Sequence, residues 1–274
     1  MCAMRIERPR LLLLAGAALF VVVAAAVAAL VAAAGRSEVD DLLPNLAAAT
    51  PDDLSGRTGG IVSRPRFFLG FESAAANLGD GPLIVVGRRR RGEAEMRLRQ
   101  RIGRSDGSAR TIPLRATLRY VHSRDHAHWH VRGFMRYQLR LADGDGVADD
   151  RKTGFCLGDR YRAAGALPDR SPNARYRDRC GRGASELLTI TEGISIGWGD
   201  NYVAHLEGQE LELTGLPAGR YVLVHRVNPS RDLRETTYSD NIASMTIDVA
   251  WPRGPKLPPS IDVVARCPRS ATCG

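Results

Sequence analysis

Along most of this chain, apolar and polar residues alternate in short runs of period two, the pattern of a strand with one buried face. Such runs span Phe67–Glu72, Leu83–Val86, Ala94–Ile102, Ala116–Val121 and Phe134–Leu141, and recur at Leu211–Thr214, Tyr221–Val227 and Ser244–Val249. Turn-forming clusters separate them, at Asn77-Leu-Gly-Asp80, Ser105-Asp-Gly107, Asp143-Gly-Asp-Gly146 and Pro217-Ala-Gly219. No long amphipathic helix interrupts the series. Short strands punctuated this way predict an all-β fold, an antiparallel β-sandwich with long irregular loops.

The ends of the chain depart from this pattern. Leu11 to Ala34 is a stretch of 24 residues without a charge, preceded by Arg5, Arg8 and Arg10. That is long enough to cross a bilayer once, and the basic flank places residues 1–10 on the cytoplasmic side. The expectation is one N-terminal transmembrane signal-anchor, with a cleaved signal peptide ending near Ala34 as the rival. Residues 35–60 read as a linker or lead-in, residues 61–250 as the β domain, and residues 251–274 as an irregular tail containing prolines and cysteines. Export agrees with the cysteines: Cys156, Cys180, Cys267 and Cys273 lie beyond the apolar run, and proximity suggests the pairs Cys156–Cys180 and Cys267–Cys273.

Charge adds a bias in residue type. The net charge is +9, and of 39 lysines and arginines only Lys152 and Lys256 are lysine. No basic helix or aromatic-interleaved stripe accompanies this charge, so a nucleic-acid partner is not expected. Attraction to anionic polymers is the better reading of the basicity.

Four of the six histidines, His122, His126, His128 and His130, fall within nine residues. Alternate positions of a strand share a face, so His126, His128 and His130 point one way. An all-imidazole set suits copper, zinc, nickel or iron rather than magnesium or calcium. Residues four apart on a flat strand lie about 13 Å apart, so the segment must bend, or His126 must sit in the turn begun by Arg124-Asp125. His122 is either a fourth ligand or a group orienting the others. Asp143-Gly-Asp-Gly-Val-Ala-Asp-Asp150 lacks the closing glutamate of a calcium loop and reads as a hairpin turn, which would return the chain toward the histidines and bring Lys152 near them. In a chain that otherwise uses arginine, a lysine there is notable, because a deprotonated amine is a nucleophile and a guanidinium is not.

Five motifs in order, His126-Ala-His-Trp-His130, Lys152-Thr-Gly-Phe-Cys-Leu157, Gly193-Ile-Ser-Ile-Gly-Trp-Gly-Asp-Asn-Tyr202, Leu216-Pro-Ala-Gly-Arg-Tyr-Val-Leu223 and Val227-Asn-Pro-Ser230, followed by Glu235 and Tyr238-Ser-Asp-Asn241, resemble the lysyl oxidase family. The resemblance implies copper held by His126, His128 and His130, and a lysine tyrosylquinone cofactor made from Lys152 and Tyr202. It implies oxidative deamination of a primary-amine substrate by dioxygen, releasing an aldehyde, hydrogen peroxide and ammonia. It also implies a calcium site at Glu235, Asp240 and Asn241, although Thr237 and Asn45 stand where the family has aspartates. Arg136 occupies a position where the family has a histidine, so no general base is assigned; Asp200 and His205, near Tyr202, are candidates. Two other classes remain open: an extracellular β-sandwich binding or adhesion module with a metal site, and a three-histidine zinc hydrolase.

Overall fold

The structure is a computed structural model that describes residues 39–123, 126–149, 152, 154–165 and 167–273. The apolar run Leu11–Ala34 lies outside the described residues, and with it the expected transmembrane helix. Among the described residues no helix is long and apolar enough to cross a membrane.

The described chain is built from antiparallel strands. In chain order they are β1 (Asp41–Leu42), β2 (Leu46–Ala48), β3 (Asp52–Ile61), β4 (Arg64–Asn77), β5 (Leu83–Arg88), β6 (Glu95–Arg104) and β7 (Ala109–Val121). There follow β8 (His128–Val131), β9 (Met135–Leu141), β10 (Gly146–Asp149), β11 (Tyr161–Arg162), β12 (Thr189–Ile194) and β13 (Trp198–Tyr202). The last are β14 (Glu210–Glu212), β15 (Gly219–Val227), β16 (Ile242–Ala250) and β17 (Ser260–Pro268). They form three sheets, ordered β12-β5-β6-β7-β8, β10-β9-β15-β16-β17 and β11-β13-β4-β14; β1 joins β6, and β2 and β3 join β4.

Local pattern explains the placement. In β6, Met96, Leu98, Gln100 and Ile102 are buried while Arg97, Arg99 and Arg101 face out, so one strand contributes both to the core and to a cationic surface. In β15, Tyr221 to His225 are all buried because the strand is covered on both faces. One face joins the main core; on the other, Val222 and Val224 pack against Cys273. The disulfide Cys267–Cys273 closes that second contact, and Cys156–Cys180 closes the loop after Lys152, the two pairings expected from proximity.

Two segments differ from expectation. The lead-in carries β1, β2 and the ten-residue β3, which hairpins with β4. β3 is mostly exposed and rich in Gly, Ser and Thr, so it has no apolar alternation to reveal it. The tail is not irregular throughout, because β17 adds to the edge of β16. Four of its prolines precede the strand and the fifth, Pro268, is the strand's last residue, and an edge strand that exposes most of its side chains needs no inward apolar face.

Candidate active site

β8 is short and pairs with β7 on one side; on the other, Val131 and Phe155 exchange backbone hydrogen bonds of 2.8 and 3.0 Å. Alternation puts His128 and His130 on one face. His126 precedes the strand, and its carbonyl accepts the His128 amide at 2.7 Å, which supplies the bend that reach demanded. One ligating atom from each of the three rings lies within 4.8 Å of the others. The Nε2 atoms of His128 and His130 are 2.7 Å apart, and buried His130 Nδ1 has no hydrogen-bond partner. Burial, aided by the neighbouring imidazoles and by Lys152, holds His130 down to about 3. Burial, His126, Arg182, Arg160 and Lys152 hold His128 down to about 4. Both rings are therefore neutral near pH 7 and present lone pairs, which fits a borderline or soft metal ion such as copper or zinc. His122 is not part of this group: it is exposed, with its ring 4.7 Å from that of Tyr120.

The β9–β10 hairpin turns back at Asp143-Gly-Asp and delivers Lys152 to the same place. A cavity of about 240 Å³ is lined by His126, His130, Lys152, Gly154, Val121, Glu207 and Gly208. Gly154 is required here, since a Cβ would lie 2.6 Å from the His130 Cβ. The Lys152 Nζ stands 4.7 Å from the centroid of the Tyr202 ring and 5.3 Å from that of Phe155, whose rings meet edge to face at 5.0 Å. Tyr202, buried on β13, directs its hydroxyl at Asp200 Oδ2 (2.7 Å) and at the Cys156 carbonyl (3.0 Å). Asp200 is two residues earlier on the same strand, hence on the same face. Burial pushes its carboxyl up to about 7, against the lowering effects of the Tyr202 hydroxyl and of Arg160, whose Nε is 3.6 Å away. Burial and the Asp200 charge push the Tyr202 phenol well above its ordinary value.

The Lysyl oxidase family model matches residues 88–251, more than half of the chain and all the elements just described. The chain belongs to the lysyl oxidase family. Relatives include protein-lysine 6-oxidase of Rattus norvegicus, 29% identical over 154 residues that make up 56% of this chain and 34% of that protein. Lysyl oxidase homolog 1 of Homo sapiens is 29% identical over 154 residues, 56% of this chain and 24% of its own length. Protein-lysine 6-oxidase of Sus scrofa is 29% identical over 154 residues, 56% of this chain and 55% of its own length. The match thus spans between about a quarter and about half of these relatives.

Around this family core the structure adds residues that no sequence motif singled out. Glu192 is buried and accepts the Leu157 amide at 3.0 Å, and burial raises its carboxyl well above the usual range. Buried Asp159 accepts from the amides of Arg175, Tyr176 and Ser195 and from the Ser195 hydroxyl, tying the loop after Lys152 to β12 and β13. The visible signal is the charged pair Asp159-Arg160 one glycine after an apolar Phe-Cys-Leu. The Cys156–Cys180 bridge continues the same support. From the bridged loop, the Cys180 carbonyl accepts the Trp129 amide (2.8 Å) and the Gly183 amide donates to Ala127 (2.8 Å), bracing the histidine strand.

Other expected site residues lie elsewhere. Arg136 is on β9, paired with Asp149 at 3.2 Å, and His205 is exposed. Glu235 is buried, and its carboxylate accepts from the Nδ2 atoms of Asn228 (2.6 Å) and Asn241 (2.7 Å) and from the Leu46 amide (2.7 Å). Burial still pushes it up to about 7. Asp240 instead accepts from Asn45 at 2.9 Å. The calcium expectation at Glu235, Asp240 and Asn241 gains no support from this arrangement. The Glu235 carboxylate is occupied by three N–H donors, and among the described residues the histidine triad is the one group of three or more His, Cys, Asp or Glu side chains close enough to share an ion.

Asp200 carries a pH prediction. A carboxyl whose folded pKa is raised contributes stability that is complete below its unfolded pKa near 4 and is lost as pH climbs through about 7. Copper-free Asp200→Asn protein should therefore decline less in Tm over that window than the parent, the difference amounting to on the order of 4 kcal/mol at most and the remaining slope belonging to Glu235 and Glu192. Parallel Tm–pH curves for the two proteins would remove Asp200 as the source.

Proposed function

We propose that this chain is a copper-dependent amine oxidase that converts primary amines to aldehydes, with dioxygen as oxidant and hydrogen peroxide and ammonia as co-products. The single observation that carries the reading is the Lys152 amine poised over the Tyr202 ring at the mouth of the three-histidine cluster. Bound copper would supply one-electron exchange with dioxygen, and a lysine tyrosylquinone formed from Lys152 and Tyr202 would supply the electron sink for the substrate amine.

The chain's own residues do the rest. His126, His128 and His130 offer imidazole nitrogens from a braced strand and a tight bend. Phe155 and Lys152 pack on Tyr202 and keep water from its ring faces. Asp200 accepts the phenolic proton's hydrogen bond and fixes the ring's rotation, and Arg160 holds the other Asp200 oxygen. With a carboxyl near neutrality, Asp200 is suited to hold a proton on Oδ2 next to the phenol oxygen. A zinc hydrolase or an adhesion module leaves the Lys152–Tyr202 contact without a use. The two disulfides support an oxidising compartment, and we place the β domain outside the cell, secreted or tethered.

The test is peroxide release from copper-loaded protein on addition of benzylamine or cadaverine. Release should stop under nitrogen and after copper chelation. Peroxide production that survives chelation unchanged overturns the reading.

A further inference from the structure

β6 presents Arg97, Arg99 and Arg101 outward at every second residue. Its neighbours add to that face. Arg88 on β5 is the direct cross-strand partner of Arg97, Val86 that of Arg99, and Thr117 on β7 sits opposite Arg97 on the other side. The row continues to Arg132, whose amide bonds the Thr117 carbonyl at 2.9 Å. The adjacent row on the same face runs Glu95, Arg119, His130. The arginine face and a histidine of the triad are therefore successive rows of one sheet, about 6.7 Å apart along the strands.

A groove of about 470 Å³ lies on this face, lined by Arg88, Arg97, Arg99 and Arg115 over Val86 and Pro113, and among the described residues no carboxylate lines it. Asp232 reaches Arg115 from the rim at 3.3 Å. Arg88 and Arg97 form no ion pair among the described residues, although like charges directly opposite in a sheet are destabilising. A folded domain that sets two guanidiniums side by side, uncompensated, on an exposed sheet face has a surface suited to an incoming anion.

We propose that this face is a docking groove for an extended acidic segment of a partner protein, which would bias a lysine-directed oxidase toward lysines flanked by acidic residues. The second half rests on the oxidase reading. Alternate arginines on β6 repeat at about 6.7 Å, the spacing of same-side residues in an extended peptide, and the strand spacing of about 4.8 Å sets the rows. The apolar floor suits side-chain methylenes. A peptide also brings the primary amine that a uronic-acid polymer lacks. Small diamines have the opposite preference to meet, since Arg160, Arg182 and Lys152 all act on the histidine cluster, with Glu207 the lone carboxylate lining the cavity among the described residues.

The test uses copper-loaded full-length protein and a fluorescent peptide of alternating glutamate and serine around one acetyl-lysine, which binds without being a substrate. Arg88→Glu/Arg97→Glu should weaken binding at least tenfold, and a rise in salt should weaken it for the parent. The charge-matched Arg64→Glu/Arg253→Glu, at two exposed positions away from the groove, should bind within twofold of the parent. Arg97→Gln alone should weaken binding about threefold while raising Tm, a pairing that a merely structural role does not produce. The groove is overturned if the parent does not bind the peptide, if the double variant binds equally well, or if polygalacturonate of equal charge binds more tightly. With a free lysine in place of acetyl-lysine, the acidic peptide should exceed an arginine–serine counterpart at least tenfold in kcat/KM. Equal rates overturn the substrate assignment, whereas binding without any oxidation leaves the groove standing and defeats the oxidase reading.

Discussion

Copper-loaded protein held in air is expected to yield, on digestion, a peptide in which Lys152 and Tyr202 are covalently joined, and Lys152→Ala or Tyr202→Phe should abolish it together with amine oxidation, by about a thousandfold or more. The amine lies 4.7 Å from the ring centroid and needs only a side-chain adjustment to reach a ring carbon. Tyr202→Phe keeps the ring and its edge contact with Phe155 but removes the hydroxyl that meets Asp200 and Cys156. Leaving buried Asp200 short of one donor costs about 1–3 kcal/mol, which a domain of this size can absorb while staying folded. Lys152→Arg is the sharper variant. It keeps a cation over the ring but offers no amine nucleophile, so it should fold, bind copper and form no crosslink. Mass spectrometry decides the matter; a crosslinked Tyr202 peptide in the Lys152→Ala protein would remove Lys152 from the cofactor, and a redox stain for quinones after denaturation gives the same answer independently.

The parts of this architecture that could be read from residue order alone share a physical cause: each is a strong local pattern. β6, β9, β15 and β16 alternate or run apolar because they sit against the core, and their positions follow from that. The triad showed itself because spacing by two is a strand's own period, and the need for a bend at His126 followed from reach. Lys152 stood out only against a background of arginine. What escaped depends on contacts distant in sequence. β3 and β17 are stabilised by pairing with β4 and β16 rather than by a buried face of their own. Glu192 and Asp159 are carboxylates whose meaning lies in burial and in backbone donors some 16 to 36 residues away. Glu235 was visible as an oxygen-ligand candidate, whereas its hydrogen bonds from Asn228, Asn241 and Leu46 depend on contacts that no residue pattern reveals.

Removing the metal should have the second large effect. Copper bound to the folded chain alone stabilises it by mass action, by about 2.7 kcal/mol at a hundredfold excess over Kd. For a domain of some 230 residues that is a rise in Tm of roughly 5–10 °C. His130→Ala should lose that increment and all peroxide release, since it deletes the most deeply held ring of the three and leaves two donors too few to hold a buried ion. The pH dependence distinguishes a buried triad from surface histidines. An ordinary imidazole begins to lose its metal to protons near 6.5, but burial holds His128 at about 4 and His130 at about 3. Protons therefore compete at His128 and His130 only at lower pH, and copper affinity should fall much less from pH 7.5 to about 5 than it would for three solvated histidines. Zinc, at the same excess over its own Kd, should give a comparable Tm rise with no amine oxidation, because the three rings hold either ion while only copper exchanges electrons with dioxygen. Calorimetric titration across that pH range is the measurement. An affinity that drops steeply between pH 7 and 6 would show that the triad is solvated, and the enclosed copper centre would have to be abandoned.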